Sequence, residues 1–194
     1  MRKIILASAS PRRQELIGRL IPDFKVMTDN SPEEVIMGEK PEETVKRLAK
    51  QKAENIAKEI TDDAVVIAAD TMVALDGQVL GKPCDEKEAY NMLKMLSGNM
   101  HQVYTGVAVI DTKSGKIINE YETTGVKFRT LLDEEIKAYI KSGEPMDKAG
   151  AYGIQELGAL FIQGIEGDYF NVVGLPLCRL GRILKEMGID LLIG

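Results

Sequence analysis

Six consecutive apolar residues, Ala64-Val65-Val66-Ile67-Ala68-Ala69, run directly into Asp70. A strand with one wet face alternates polar and apolar side chains, so an unbroken run reads as a strand covered on both faces. Helices are the usual cover, and the sequence on its N-terminal side supplies them. Residues 41–60 open with Pro41, Glu42 and Glu43 and place Val45, Leu48, Ala49, Ala53, Ile56, Ala57 and Ile60 at helical spacing. Residues 3–7 (Lys-Ile-Ile-Leu-Ala) read as another buried strand. Ser10-Pro11 then offers an N-cap followed by proline at the first helical position, with Leu16, Ile17 and Leu20 as the buried stripe.

Beyond Asp70 the pattern changes to shorter strands and turns. Met72–Leu75 and Gln78–Leu80 flank Asp76-Gly77, a two-residue hairpin signal. Asp85 with Glu88 resembles a capping box for a helix over 86–96, ending before Gly98. Residues 102–111 and 116–128 read as long strands joined by Thr112-Lys113-Ser114-Gly115. A helix follows from Asp133 to near Ser142-Gly143, then a short strand at Ala159–Gln163. A closing helix begins near Pro176, with Leu177, Leu180, Ile183, Leu184 and Met187 on its core face and Gly188 at its end. Such a mixture indicates the α/β class (mixed α+β) with a long central sheet. The 194 residues suit one domain, or two small lobes.

Charge narrows the function. A net charge of −5 argues against general nucleic-acid binding, which needs a basic surface, though it leaves room for a local cationic pocket. Cys84 and Cys178 stand far apart without metal-ligand spacing, as in a reduced cytoplasmic protein. The apolar run near the N-terminus is too short for a signal peptide, and no stretch approaches the ~20 apolar residues of a membrane helix. No membrane partner is expected.

Ser8-Ala9-Ser10-Pro11-Arg12-Arg13 lies between a strand and a helix start, where free N–H groups and the helix dipole favour an anion. Two hydroxyls and two guanidiniums add donors suited to phosphate, while a surface ion-pair cluster is the alternative. Cations in a first turn oppose the dipole, so helix stability does not explain Arg12 and Arg13. Asp70 is placed to bind a divalent cation, to act as a base toward water, or only to cap a strand end through Thr71. Lys52, seven residues after Val45, either snorkels outward or points into a cleft. On spacing alone Lys82 in Gly81-Lys82-Pro83 and Gln155 in Lys148–Gln155 read as surface groups, with ligand contact the alternative. Glu33 and Glu34 lie in a polar loop. His101, the only histidine, has no triad or zinc partner nearby. Both the dinucleotide glycine pattern and the P-loop pattern are missing.

Taken in order, Ser8–Arg13, Lys52 within Ala49–Ala53, Ala69–Val73, Gly81–Pro83, Lys148–Gln155 and Asn171–Pro176 resemble the Maf family of nucleotide pyrophosphatases, with its inosine-triphosphatase-like fold. The resemblance covers nearly the whole chain and implies a single pyrophosphatase domain over residues 1–194, its two lobes flanking a cleft. It implies a triphosphate cradle of Ser8, Arg12, Arg13, Lys52 and Lys82, with Asp70 as proton acceptor and Glu33 beside it near a Mg2+ or Mn2+ ion. Arg12, Thr71 and Gln155 resemble the branch that cleaves dTTP and UTP to the monophosphate and pyrophosphate. Glu156 departs from the glycine expected after the glutamine. A homodimer is implied by resemblance alone. The rival readings are a pyrophosphatase for purine or modified nucleotides and a nucleotide-binding, division-linked protein without turnover.

Overall fold

The computed structural model describes residues 2–29, 31–32, 36 and 38–193. Its elements are β1 (Lys3–Ala7), α1 (Pro11–Leu20), β2 (Lys25–Met27), α2 (Pro41–Lys58), β3 (Ala64–Leu75), β4 (Gln78–Leu80), α3 (Glu86–Leu96), β5 (Met100–Asp111), β6 (Ile117–Phe128), α4 (Asp133–Lys141), β7 (Ile162–Glu166), α5 (Tyr169–Val173) and α6 (Leu177–Glu186). Short 3-10 turns occupy Glu144–Asp147, Ala149–Ala151 and Leu157–Phe161. The strands form one mixed sheet ordered β2-β1-β3-β5-β6-β7, with β4 paired to β3. The expected α/β (mixed α+β) class, with a long mixed sheet and flanking helices, is the one found.

Two compact units divide the chain. The first holds Met1–Asp70, Thr105–Glu122 and Gly174–Gly194, and the second holds Thr71–Tyr104 and Thr123–Val173. In the first, β1 pairs in parallel with β2 and with β3, in the register Leu6↔Ile67. Ile5, Ala7, Val66, Ala68, Ala108 and Ile110 pack there against Ala49, Ala53 and Ile56 of α2. The small alanines let α2 lie close to the sheet. At Gly106 a Cβ would stand 2.2 Å from the Val45 carbonyl oxygen, so helix and strand backbones nearly touch. In the second unit, α3 and α4 contribute Leu93, Leu96, Ile136 and Tyr139 to a core around Phe128, Tyr152 and Phe161. His101 is buried in that core, its Nε2 2.7 Å from the Tyr152 hydroxyl and its ring edge-on to Phe128. Its role is packing.

Several boundaries differ from expectation, each for a local reason. Asp70 does not close its strand; β3 continues through Leu75, where Val73, Ala74 and Leu75 pair with β4. The hairpin at Asp76-Gly77 forms as expected, with φ of 50° and 82°. Asp85 caps α3 through the Glu88 N–H, but the Glu88 carboxylate accepts from the N–H of Cys84 rather than of Asp85. The strand expected at Ala159–Gln163 lies instead at Ile162–Glu166, since Leu157–Phe161 coil into a 3-10 turn. No signal marked β2. Among the described residues, no helix is long and apolar enough to cross a membrane.

Candidate active site

In the first unit the candidate residues lie where β1 runs into α1 and at Asp70 on the adjacent β3. Because Leu6 pairs with Ile67 on the parallel neighbour, Ser8 and Asp70 both lie past the last paired residues at the same end of β1 and β3. Ser10 caps α1, its side chain accepting from the Arg13 N–H, and Pro11 begins the helix. The Ser8 hydroxyl, nearly buried, accepts from the Ser10 N–H at 3.2 Å. Arg13 turns back over this start, its Nη1 donating to the Ser8 Oγ at 3.4 Å and its Nε to the Gly174 carbonyl at 2.8 Å. Arg12 shares the first turn of α1 and is half-buried. The Ser8 hydroxyl and the Arg13 guanidinium thus meet beside the N-terminus of α1, a setting that favours an anion.

Asp70 is 7% exposed, and its Oδ1 accepts from the Lys52 ammonium at 2.6 Å. Lys52 thus does not snorkel into solvent; α2 directs it to the sheet. One turn further along α2, Asn55 donates to Asp29 Oδ2 at 3.0 Å and to the Ser31 hydroxyl at 3.2 Å. Burial pushes the Asp29 carboxyl up, but hydrogen bonds from Ser31 and Asn55 and the charge of Lys52 outweigh it, leaving it below the ordinary carboxylate value. Sequence reasoning passed over Asp29 and Asn55. The spacing of Lys52 and Asn55 on one helix face was the available signal. Glu33 and Glu34 lie outside the described residues. Among those described, no group of three or more His, Cys, Asp or Glu side chains is arranged to hold a metal.

The second unit contains Thr71, Lys82 and Gln155. Thr71 is half-buried on β3, directly after Asp70. Lys82 is exposed, and the carbonyl of the preceding Gly81 accepts from the Gly150 N–H at 3.0 Å, tying the Lys82 loop to the Lys148–Gln155 segment. Gly150 has φ of +70°, and a Cβ there would press on Val73 at 3.0 Å, so that backbone lies flush against β3. Gln155 is exposed. Glu156, the departure from the family pattern, places its carboxylate 3.8 Å from the Lys148 ammonium. Asn171 is buried and donates to the Val103 carbonyl and the Thr124 hydroxyl, each at 2.9 Å, so this member of the Asn171–Pro176 segment braces the fold.

The chain is 55% identical over 190 residues to the dTTP/UTP pyrophosphatase of Clostridium novyi, covering 97% of this chain and 100% of that one. It is also 55% identical over 186 residues to the dTTP/UTP pyrophosphatase of Carboxydothermus hydrogenoformans, covering 96% and 99%. In fold it is similar to the Ham1 protein of Staphylococcus aureus, with a TM-score of 0.54 at 15% identity over 96% of this chain and 100% of that one. A HAM1 protein from Coxiella burnetii gives 0.50 at 16% identity with the same coverage. These two likenesses concern the fold alone, which is the inosine-triphosphatase-like one expected. The Maf-like protein family description matches residues 3–187, and the chain belongs to that family.

Proposed function

We propose that the chain is a single catalytic domain that hydrolyses dTTP and UTP to the nucleoside monophosphate and pyrophosphate. The observation that carries the reading is the ion pair between buried Asp70 on β3 and Lys52 on α2, with the Ser8–Arg13 helix start on the neighbouring strand's end. A mere anion receptor needs the cations but has no use for a buried carboxylate held among them. The names of the relatives at 55% identity support the same activity and the same bases.

In this reading Asp70 takes a proton from water as its oxygen attacks the α-phosphorus. The P–O bond to the β-phosphate breaks, and pyrophosphate leaves with the electron pair. Ser8, Arg12, Arg13, Lys52 and Lys82 hold the triphosphate and offset the charge that develops on the leaving group. Arg12, Thr71 and Gln155 select the base. The Gln155 amide offers a donor and an acceptor together, matching O4 and N3–H of uracil or thymine.

A divalent cation, Mg2+ or Mn2+, suits the donors present. Asp70 offers a hard carboxylate oxygen, and such ions commonly take one or two carboxylates and complete their shell with substrate phosphates and water. Glu33 is the second carboxylate in this assignment. When bound, the cation supplies positive charge to the phosphates and polarises an oxygen. The free, exposed state of Cys84 and Cys178 supports a cytoplasmic setting, and likeness to the family supports a homodimer.

The test is pyrophosphate release from dTTP, UTP, ATP, GTP and modified triphosphates, with Mg2+, with Mn2+ and with chelator. Cleavage of UTP and dTTP ahead of the purines, abolished by chelator, is the expected result. No release from any triphosphate would reject catalysis, and ATP or GTP as best substrate would reject the base assignment.

A further inference from the structure

Gln155 is exposed, so its usefulness as a base reader depends on the backbone that carries it. That backbone is fastened at both ends to a pair of side chains outside the segment. The Gly153 N–H donates to the Tyr139 hydroxyl oxygen at 3.2 Å. The Leu157 and Gly158 N–H groups donate to Glu144 Oε2 and Oε1 at 3.0 and 3.1 Å. The Tyr139 hydroxyl closes the set by donating to Glu144 Oε1 at 2.7 Å. Residues 154–156 therefore span a short arch whose feet stand on one carboxylate and one phenol.

The packing under the arch is equally specific. A Cβ on Gly158 would stand 2.5 Å from the Gly153 carbonyl oxygen and 2.8 Å from the Tyr139 hydroxyl, so the feet approach this closely only with glycine there. A Cβ on Gly153 would stand 2.7 Å from Lys148 Cε. The Lys148 ammonium, almost wholly buried, donates at 2.8 Å to the Glu144 carbonyl and to the Asp147 carboxylate. Burial and the neighbouring Glu144 carboxylate push the Tyr139 hydroxyl above its ordinary value, so it remains a proton donor across the working pH range. Tyr139 itself is 4% exposed and cannot serve as a broad ligand contact. A charged acceptor that gathers this many donors is worth more than neutral bonds of the same number.

We infer that Tyr139 and Glu144 are positioning residues for nucleotide choice, holding the Gly153–Gly158 arch in the conformation that presents Gln155 to the base. The inference rests on the assignment of Gln155 as base reader. Loosening the arch leaves the phosphate chemistry of Asp70 and its cations in place and removes discrimination between bases.

The experiment compares UTP and ATP hydrolysis by the parent protein, Gln155→Ala, Tyr139→Phe and Glu144→Gln. Tyr139→Phe keeps the ring packed edge-on against Phe161, at 4.9 Å between centroids, and deletes only the oxygen. Glu144→Gln keeps the shape and turns one acceptor into a donor facing N–H groups. The expected result is a fall of about tenfold in the UTP:ATP ratio of kcat/KM in both variants, as when a base-reading bond is loosened. It should be carried by KM for UTP, with kcat for ATP within about twofold of the parent. A merely structural role would lower kcat for both nucleotides alike and leave the ratio unchanged. An unchanged ratio in either folded arch variant, beside a reduced ratio in Gln155→Ala, overturns the positioning role and leaves Gln155 as base reader. An unchanged ratio in all variants, Gln155→Ala included, overturns both.

Discussion

Asp70 occupies the middle of a twelve-residue strand, with apolar neighbours on the N-terminal side and a lysine from α2 on its carboxylate. The Lys52 side chain keeps 19% of its surface exposed, so its ammonium retains access to water if the carboxylate is changed. The amide in Asp70→Asn is nearly isosteric and still accepts from Lys52, so the fold should persist. Turnover should fall ~10²–10⁴-fold, the usual cost of losing a general base. Pyrophosphate release beside a thermal melt checks this: near-parent turnover in a folded Asp70→Asn protein would remove Asp70 from the chemistry. Lys52 illustrates how a residue can be ambiguous in sequence and plain in structure. Its position on the border of the α2 stripe allowed either an outward or an inward ammonium. The choice depends on a carboxylate eighteen residues away, across a helix–sheet contact that spacing on one helix cannot report.

At the scale of elements, α2 and β5 meet where Gly106 lets a strand run against the helix backbone at Val45 and Lys46. Gly106→Ala would place a methyl on main-chain atoms, which cannot rotate aside, and overpacking of this sort costs about 1–3 kcal/mol. The expected outcome is a lower denaturation midpoint with unchanged m-value, together with reduced activity, because α2 also carries Lys52. A midpoint equal to the parent's would mean the contact is looser than it stands. The elements that were legible in advance are those with local signals. The apolar run of β3, the α2 periodicity, the Ser10-Pro11 start and the Asp76-Gly77 turn each state their own conformation within a few residues. β2 was not legible, since Lys25-Val26-Met27 carries no pattern and becomes a strand only by pairing with β1. β7 was misplaced because Leu157–Phe161 is apolar enough to pass for a strand. The Glu144 carboxylate, bonded to the N–H groups of Leu157 and Gly158, accompanies a 3-10 turn there instead. The candidate site divides the same way: the residues on contiguous motifs were visible, while Asp29, Asn55, Tyr139 and Glu144 are brought to their neighbours by tertiary contacts.

For the molecule as a whole, the buried imidazole of His101 sets an acid limit. Burial lowers its pKa from 6.5 to about 4. The unfolded chain therefore takes up a proton as pH falls through 6.5, while the folded chain does so only near 4. The stability this group contributes is complete above pH 6.5 and is lost as the pH drops toward 4. At ~1.4 kcal/mol per pKa unit, the loss amounts to about 3 kcal/mol. Denaturation midpoints measured from pH 7 to pH 4 should fall more steeply for the parent than for His101→Gln, which cannot titrate. Equal slopes would remove His101 from the acid response.

The division of the chain bears on how the molecule is made. Contiguous sequence leaves the first unit at 70/71, returns at 104/105, leaves at 122/123 and returns for good at 173/174. On a ribosome, where N-terminal domains ordinarily fold before the rest has emerged, this first unit has to wait. Its early residues supply Lys52 and Asp70, but Gly174, whose carbonyl holds Arg13, emerges only after everything in the second unit. Until then Arg13 is without that bond. A nascent chain of this kind has a long interval in which a chaperone can bind, and a translational pause anywhere between residues 71 and 173 would lengthen it.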